Sequence, residues 1–317
     1  MRSWIGVVGG EPRLTPVTAA DAMVPIPGGV LRMGSDAFYP EERPIHEVDV
    51  APFSIDRHQV THAEFAAFVA ETGYVTVAER PLDPADFPGA PLDLLVPGGL
   101  VFVAPPGPVG LDDWTRWWAY VPGASWREPY GPDRDLGPLD DHPVTQVAFE
   151  DAEAFAAWRG VRLPTEPEWE LAARGGLVGA EFAWGDEPYP DGQQLANTWQ
   201  GSFPWENTAL DGYVATAPVG SFPPNGFGLH DVAGNVWEWT TDWWTERHEP
   251  EAARPCCGPT IDRRAGSVAP GETQPRRVIK GGSHLCAPNY CLRFRPAARS
   301  PEAVDTSTCH IGFRCAR

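Results

Sequence analysis

Two cysteines five residues apart, Cys286 and Cys291, are the side chains in this sequence best suited to redox or soft-metal chemistry. They lie in the segment Val278-Ile279-Lys280-Gly281-Gly282-Ser283-His284-Leu285-Cys286-Ala287-Pro288-Asn289-Tyr290-Cys291. In a regular strand or helix, residues spaced by five do not share a face. Pro288-Asn289 between them favours a turn, and a turn can bring the two sulfurs together. Adjoining thiolates suit Cu(I), which tolerates two ligands where zinc takes four. The same turn suits a redox disulfide, and buried cysteines are also common as small apolar fillers. Spacing alone leaves all three readings open. The eight histidines show no H-E-x-x-H or similar ligand spacing, and most read as ordinary polar residues. No glycine-rich phosphate loop and no nucleophile elbow is present.

The elements that must position this segment are short. Thr61-His62-Ala63-Glu64 is a capping box that opens a helix, with Phe65, Phe68 and Val69 on one face and Gly73 as its stop. A second helix is predicted over 149–159, with Ala152, Phe155 and Ala156 on one stripe and Gly160 ending it. A third opens at Thr165-Glu166-Pro167-Glu168, with proline inside the first turn, and stops at Gly175-Gly176. Met23 to Gly34 reads as short strands and turns. After Gly176 helical periodicity ends. Ala217–Val219 is a strand candidate, and period-two alternation predicts half-buried strands at 292–295 and 311–315.

Composition sets the outer limits. Of 317 residues, 42% are hydrophobic, which supplies a sizeable core, and 33 glycines with 36 prolines imply ordered loops between short elements. Fourteen tryptophans provide the apolar area to hold such loops down. The formal charge of −19 disfavours phosphate backbones and anionic lipid as partners. No apolar run approaches the ~20 residues of a membrane span, and the short Trp4–Val8 patch is too short for a signal peptide. A cytoplasmic protein is expected, with most of its six cysteines kept as thiols. Residues 1–21 read as a flexible lead-in and 22–317 as one α+β domain with little regular secondary structure.

Several blocks resemble one family. Gly281-Gly282-Ser283-His284-Leu285-Cys286, Tyr290-Cys291, Ala297-Ala298-Arg299-Ser300 and Gly312-Phe313-Arg314-Cys315 are similar to the C-terminal part of formylglycine-generating enzymes, the sulfatase-modifying factors. The likeness runs back through 228–239, 197–201, 162–166, Asp141-His142-Pro143-Val144 and the 114–127 stretch. Gly-Asn-x-Trp-Glu-Trp and Arg-Leu-Pro-Thr-Glu mark a wider superfamily, which also holds non-catalytic modules and iron-dependent sulfoxide synthases. The cysteine pair points to the formylglycine-generating branch, and no length is left for the His-rich helical domain that the iron enzymes need.

The resemblance implies a lectin-like fold and an oxidase. Cys286 and Cys291 would hold Cu(I) as a bis-thiolate. The substrate would be the cysteine of a Cys-x-Pro-x-Arg motif in an unfolded sulfatase polypeptide, converted with O2 to formylglycine. Ser283 and Trp237 match family residues lining the oxygen and substrate pocket, and Arg299 and His310 match further pocket positions. Two calcium ions are also implied. One would be bound by Asn197 and Asp211 with the carbonyls of Thr198 and Tyr213, the other by Asp231 and Glu238 with those of Gly234 and Val236. The family precedent is a monomer. Cys315 lacks the disulfide partner of the human-type enzymes, whose other cysteine positions are occupied here by Ala156 and Pro296. Cys256-Cys257 reads as a vicinal loop pair and Cys309 is unassigned.

Overall fold

Four small sheets, held together by loops, make up most of the regular structure. The computed structural model describes residues 23–317 except 86–88, 90, 93–94, 135 and 249–261. The expected lead-in over 1–21 and the Cys256-Cys257 pair therefore lie outside the described residues. Strand β1 (Met23–Ile26) pairs antiparallel with β4 (Phe53–Asp56), and β2 (Gly29–Met33) with β3 (His46–Val50). Strands β5 (Gly98–Phe102) and β6 (Trp118–Pro122) form a third antiparallel pair. The largest sheet has the order β10-β7-β8-β9, from β7 (Trp237–Trp243), β8 (Arg276–Lys280), β9 (Arg299–Ala303) and β10 (Ile311–Gly312).

The three predicted helices are present as α1 (His62–Thr72), α2 (Phe149–Trp158) and α3 (Glu166–Arg174), and a short α4 (Arg263–Gly266) follows later. Their ends are where local chemistry puts them. Thr61 and Thr165 accept from the backbone of Glu64 and Glu168, whose carboxylates reach back to the cap N–H groups. Gly73 and Gly175 close α1 and α3 in the left-handed region.

Strand β7 organises the interior because its alternate residues face different layers. Trp237 and Trp239 enter an apolar cluster with Phe65 and Phe68 of α1, Phe155 of α2, Ile279 and Phe313. The Phe65 and Phe155 rings stack at 5.8 Å, and Phe313 meets Phe155 edge-on at 5.3 Å. Glu238 faces the other way, toward α3, as does Lys280, its cross-strand partner on β8. The chain end then locks this layer to the first sheet through Asp56 N–Cys315 O at 2.8 Å and Val60 N–Phe313 O at 2.9 Å.

Three strand expectations are corrected. Residues 292–295 form no strand: Phe294 and Arg295 are both buried, so the alternation is not one of inside and outside. Arg295 is instead turned inward to Glu42, and Arg293 is held by Glu41. At 311–315 only Ile311–Gly312 is a strand, and the segment is buried on every side because Arg314 is taken up by Glu238. Ala217–Val219 is loop, its backbone satisfied by Asn235 Oδ1 and Asp141 O rather than by a neighbouring strand.

Candidate functional site

The thiol pair sits on a double turn that begins where β8 leaves its sheet. Gly281 and Gly282 have φ of 93° and 72°, and a Cβ on Gly282 would lie 2.9 Å from Phe294 N. Only glycine lets the chain fold back this closely. In the first turn Cys286 N donates to Ser283 O at 2.9 Å and Leu285 N to Ser283 Oγ at 3.2 Å. His284 anchors the loop to the start of the large sheet by donating its backbone N–H to Asn235 O at 2.9 Å. In the second turn, around Pro288-Asn289, Tyr290 N and Cys291 N both donate to Ala287 O, at 3.0 and 2.7 Å. The result is a Cys286 Sγ–Cys291 Sγ separation of 3.2 Å. Both cysteines are free thiols, well beyond the ~2.05 Å of a disulfide bond.

The two sulfurs have opposite electrostatic surroundings. Cys286 is 2% exposed, and burial pushes its thiol well above the ordinary value. Cys291 is half-buried; the hydrogen bond from Cys286, reinforced by Arg293, brings it down to about 7. Cys286 therefore holds a proton and shares it with a Cys291 that ionises near neutrality. Arg293 Nη1 stands 3.9 Å from Cys291 Sγ, its Nη2 donates to Glu41 Oε1 at 2.7 Å, and its guanidinium lies 3.9 Å from the Tyr39 ring centre. Tyr39 Oη in turn accepts from Leu292 N at 3.0 Å. On the other flank the Tyr290 ring stacks on Phe203 at 4.6 Å and meets Trp117 edge-on at 5.5 Å. Tyr290 is 39% exposed, so this rim reaches solvent. Two soft donors, one easily ionised, fit a soft monovalent cation. No cluster of three or more His, Cys, Asp or Glu suited to a metal exists among the described residues.

Of the residues expected beside the thiols, Ser283 touches one directly, its N pointing at Cys286 Sγ at 3.4 Å, while Trp237 shares only a large buried apolar cluster with Cys286. Arg299 makes no recorded contact with either thiol. It is 2% exposed, forks onto Glu166 at 2.8 and 2.9 Å, and lines a cavity of about 170 Å³ with His46 and His248. Its route to the site is indirect, through Glu41 O and then the Glu41–Arg293 pair. His310 lies 4.8 Å from the Trp118 ring and bonds Thr308 Oγ1 at 2.5 Å; burial, with His284 nearby, lowers it to about 3, so it is neutral. His62, His248 and His284 are likewise buried and lowered to about 4, chiefly by burial, unlike the ordinary polar histidines that spacing suggested. Sequence reasoning missed Arg293, Glu41 and Tyr39. Arg293, two residues past Cys291, was the available signal.

The oxygen clusters differ from each other. Asn197 donates Nδ2 to Ala215 O at 2.9 Å, leaving its buried Oδ1 without a protein donor. Nearby, Asp211 accepts from Thr198 N at 3.1 Å and Tyr213 N at 3.0 Å, and Gln200 Nε2 is crowded against both Thr198 O and Asp211 Oδ2. An orphaned amide oxygen beside a carboxylate and a crowded carbonyl is a donor set that fits calcium. Glu238 is different. Its Oε1 accepts from Gln59 Nε2 at 3.0 Å and Arg314 Nη2 at 2.8 Å, and its Oε2 from Trp169 Nε1 and Arg314 Nε, both at 2.7 Å. Asp231 Oδ2 accepts from Gly220 N at 2.7 Å.

A loop-built α+β scaffold carries this reduced cysteine pair, and its relatives make the chain an oxidoreductase. Residues 9–317 match the sulfatase-modifying factor enzyme 1-like domain, and the chain belongs to that family. It is 56% identical over 296 residues to a formylglycine-generating enzyme of Mycobacterium tuberculosis, covering 92% of this chain and 96% of that one. A formylglycine-generating enzyme of Thermomonospora curvata is 47% identical over 317 residues, covering 96% of each chain. Among solved structures, PvdO from Pseudomonas aeruginosa superposes with a TM-score of 0.60 at 28% identity, covering 93% of each chain. Among the described residues no helix is long and apolar enough to cross a membrane.

Proposed function

We propose that this protein oxidises the cysteine of a Cys-x-Pro-x-Arg motif, in an unfolded sulfatase polypeptide, to formylglycine with O2. The reading rests on the 3.2 Å approach of Cys286 and Cys291 within a chain of this family. Cu(I) held by the two sulfurs would supply the one-electron chemistry toward O2 that no side chain here can. The protein's own part is to hold the thiols close, keep Cys291 ionised through Cys286 and Arg293, and bury Cys286 in the apolar cluster that also holds Trp237 and Phe294. The open side of Cys291, beside exposed Tyr290, is where an extended peptide would bring its own thiol. Turning CH2–SH into CHO withdraws two electrons and releases sulfide. Reducing O2 to two waters takes four, so two external thiols, joined as a disulfide, supply the other two.

Calcium at Asn197 and Asp211, with the carbonyls of Thr198 and Tyr213, would brace the loops around 197–213, where helices and strands are absent. A reducing cytoplasm, with the protein acting as a monomer, suits the free thiols of Cys286, Cys291, Cys309 and Cys315. The test is mass spectrometry on a synthetic Cys-x-Pro-x-Arg peptide given Cu(I), O2 and a thiol. The peptide should lose about 18 Da, the difference between cysteine and formylglycine. Cys286→Ser and Cys291→Ser should each abolish both that loss and copper retention. A variant that keeps full activity overturns the thiol-site reading.

A further inference from the structure

Gln59, buried in the segment leading into α1, donates to two of the four groups that the sequence resemblance gives to a second cation, Val236 O and Glu238. Its Nε2 lies 3.1 Å from Asp231 O, 3.2 Å from Val236 O and 3.0 Å from Glu238 Oε1. Three oxygens from one Gly-rich loop and strand, converging on one point, make the kind of cradle that hard cations use. The resident here is an amide nitrogen.

The orientation of that amide is fixed by its neighbours. Gln59 Oε1 accepts from Asn235 Nδ2 at 3.1 Å. Asn235 is oriented in turn, because its Oδ1 accepts from Ala217 N at 2.9 Å. A flipped Gln59 would set an oxygen against three oxygens and an N–H2 against an N–H2. Of the remaining ligands, Glu238 is the one fully committed. Glu238 has two donors on each oxygen, and the full charge of buried Arg314 lies against it. Asp231 offers only its backbone carbonyl to Gln59. Its Oδ1 has no protein donor, and the residue lines a separate cavity of about 220 Å³, ample for water.

We infer that this chain holds calcium at the Asn197–Asp211 cluster alone, and that the Gln59 amide replaces the second ion with a permanent cross-link between 59 and 231–238. A neutral amide with two hydrogens satisfies these acceptors without adding charge beside Arg314, whereas a divalent ion would face that guanidinium directly. The same geometry identifies the single residue that bars the ion. A carboxylate at 59 would stand about 3 Å from Glu238, and two carboxylates so close demand a proton or a cation.

The experiment counts calcium, so it does not depend on oxidase activity. Protein equilibrated with millimolar calcium and freed of unbound ion is assayed by elemental mass spectrometry. The unaltered chain should hold no more than one equivalent, and Asp211→Asn should hold none. Adding Gln59→Glu to the Asp211→Asn chain should restore one equivalent and make Tm rise with calcium concentration, which the Asp211→Asn chain alone does not do. Two equivalents in the unaltered chain would overturn the inference. So would one equivalent surviving Asp211→Asn, or a folded Gln59→Glu chain that gains none.

Discussion

The reactivity of the site is set by the inequality of two thiols. Cys286 is buried and protonated, while Cys291 is half-buried and ionises near 7 because a neighbouring S–H and a guanidinium favour its thiolate. Alkylation of Cys291 should therefore rise with pH through a midpoint near 7, with Cys286 unreactive over the same range. Removing the cation in Arg293→Ala should move the midpoint up; the first unit of rise cuts the thiolate at pH 7 about fivefold. Iodoacetamide labelling followed by peptide mass analysis reads both effects. An unmoved midpoint in Arg293→Ala would mean that the Cys286 hydrogen bond alone controls Cys291. The pair itself was legible in the sequence, because its turn is local to Pro288-Asn289. The control was not: Arg293 is held by Glu41 across 252 residues, and no spacing reports such a pairing.

Among the elements, α3 is tied to β8 by charge as well as by apolar contact. Lys280 of β8, fully buried, donates to Glu170 at 3.1 Å and Glu166 at 3.4 Å, and Arg174 closes the group at 2.7 Å from Glu170. Burial alone would raise the Glu170 carboxyl, but Lys280 and Arg174 hold it down to about 2. Its contribution to stability is complete above the ordinary 4.5 and is lost as pH falls toward 2. Glu170→Ala takes the nearest carboxylate from two buried cations and leaves Gly34 N without its acceptor, and should cost about 3–5 kcal/mol. Urea denaturation at neutral pH measures it, and a loss below ~1 kcal/mol would show that the cations find water instead. The helices were legible because capping boxes and terminal glycines act within one turn. The strand expected at 292–295 failed because its arginines point into the protein, toward partners that only the tertiary fold supplies.

For the molecule as a whole, few regular elements carry a large sheet and a long loop region from 177 to 236. Stability there rests on side-chain cross-links such as Gln59–Glu238 and Arg314–Glu238, and on the proposed calcium at Asn197 and Asp211. Strong chelators should lower Tm while leaving the rate with saturating Cu(I) little changed. Differential scanning fluorimetry beside a peptide turnover assay separates the two responses, and an unmoved Tm counts against the calcium. The fold class was legible from the abundance of Gly, Pro and Trp and from the motif blocks. The cross-links join residues such as Gln59 and Glu238, 179 positions apart, and remained invisible until the chain was folded.

The clamp of Tyr39 and Glu41 on the Cys291–Arg293 segment joins the beginning of the described chain to its end. The reactive centre therefore exists only once segments 252 residues apart have met in the folded chain. Until then the two cysteines are merely five apart on a loose strand, where scavenging metal can grip them without any fold to discipline it. Metal offered during refolding would reward the unfolded chain, so reconstitution should add copper last.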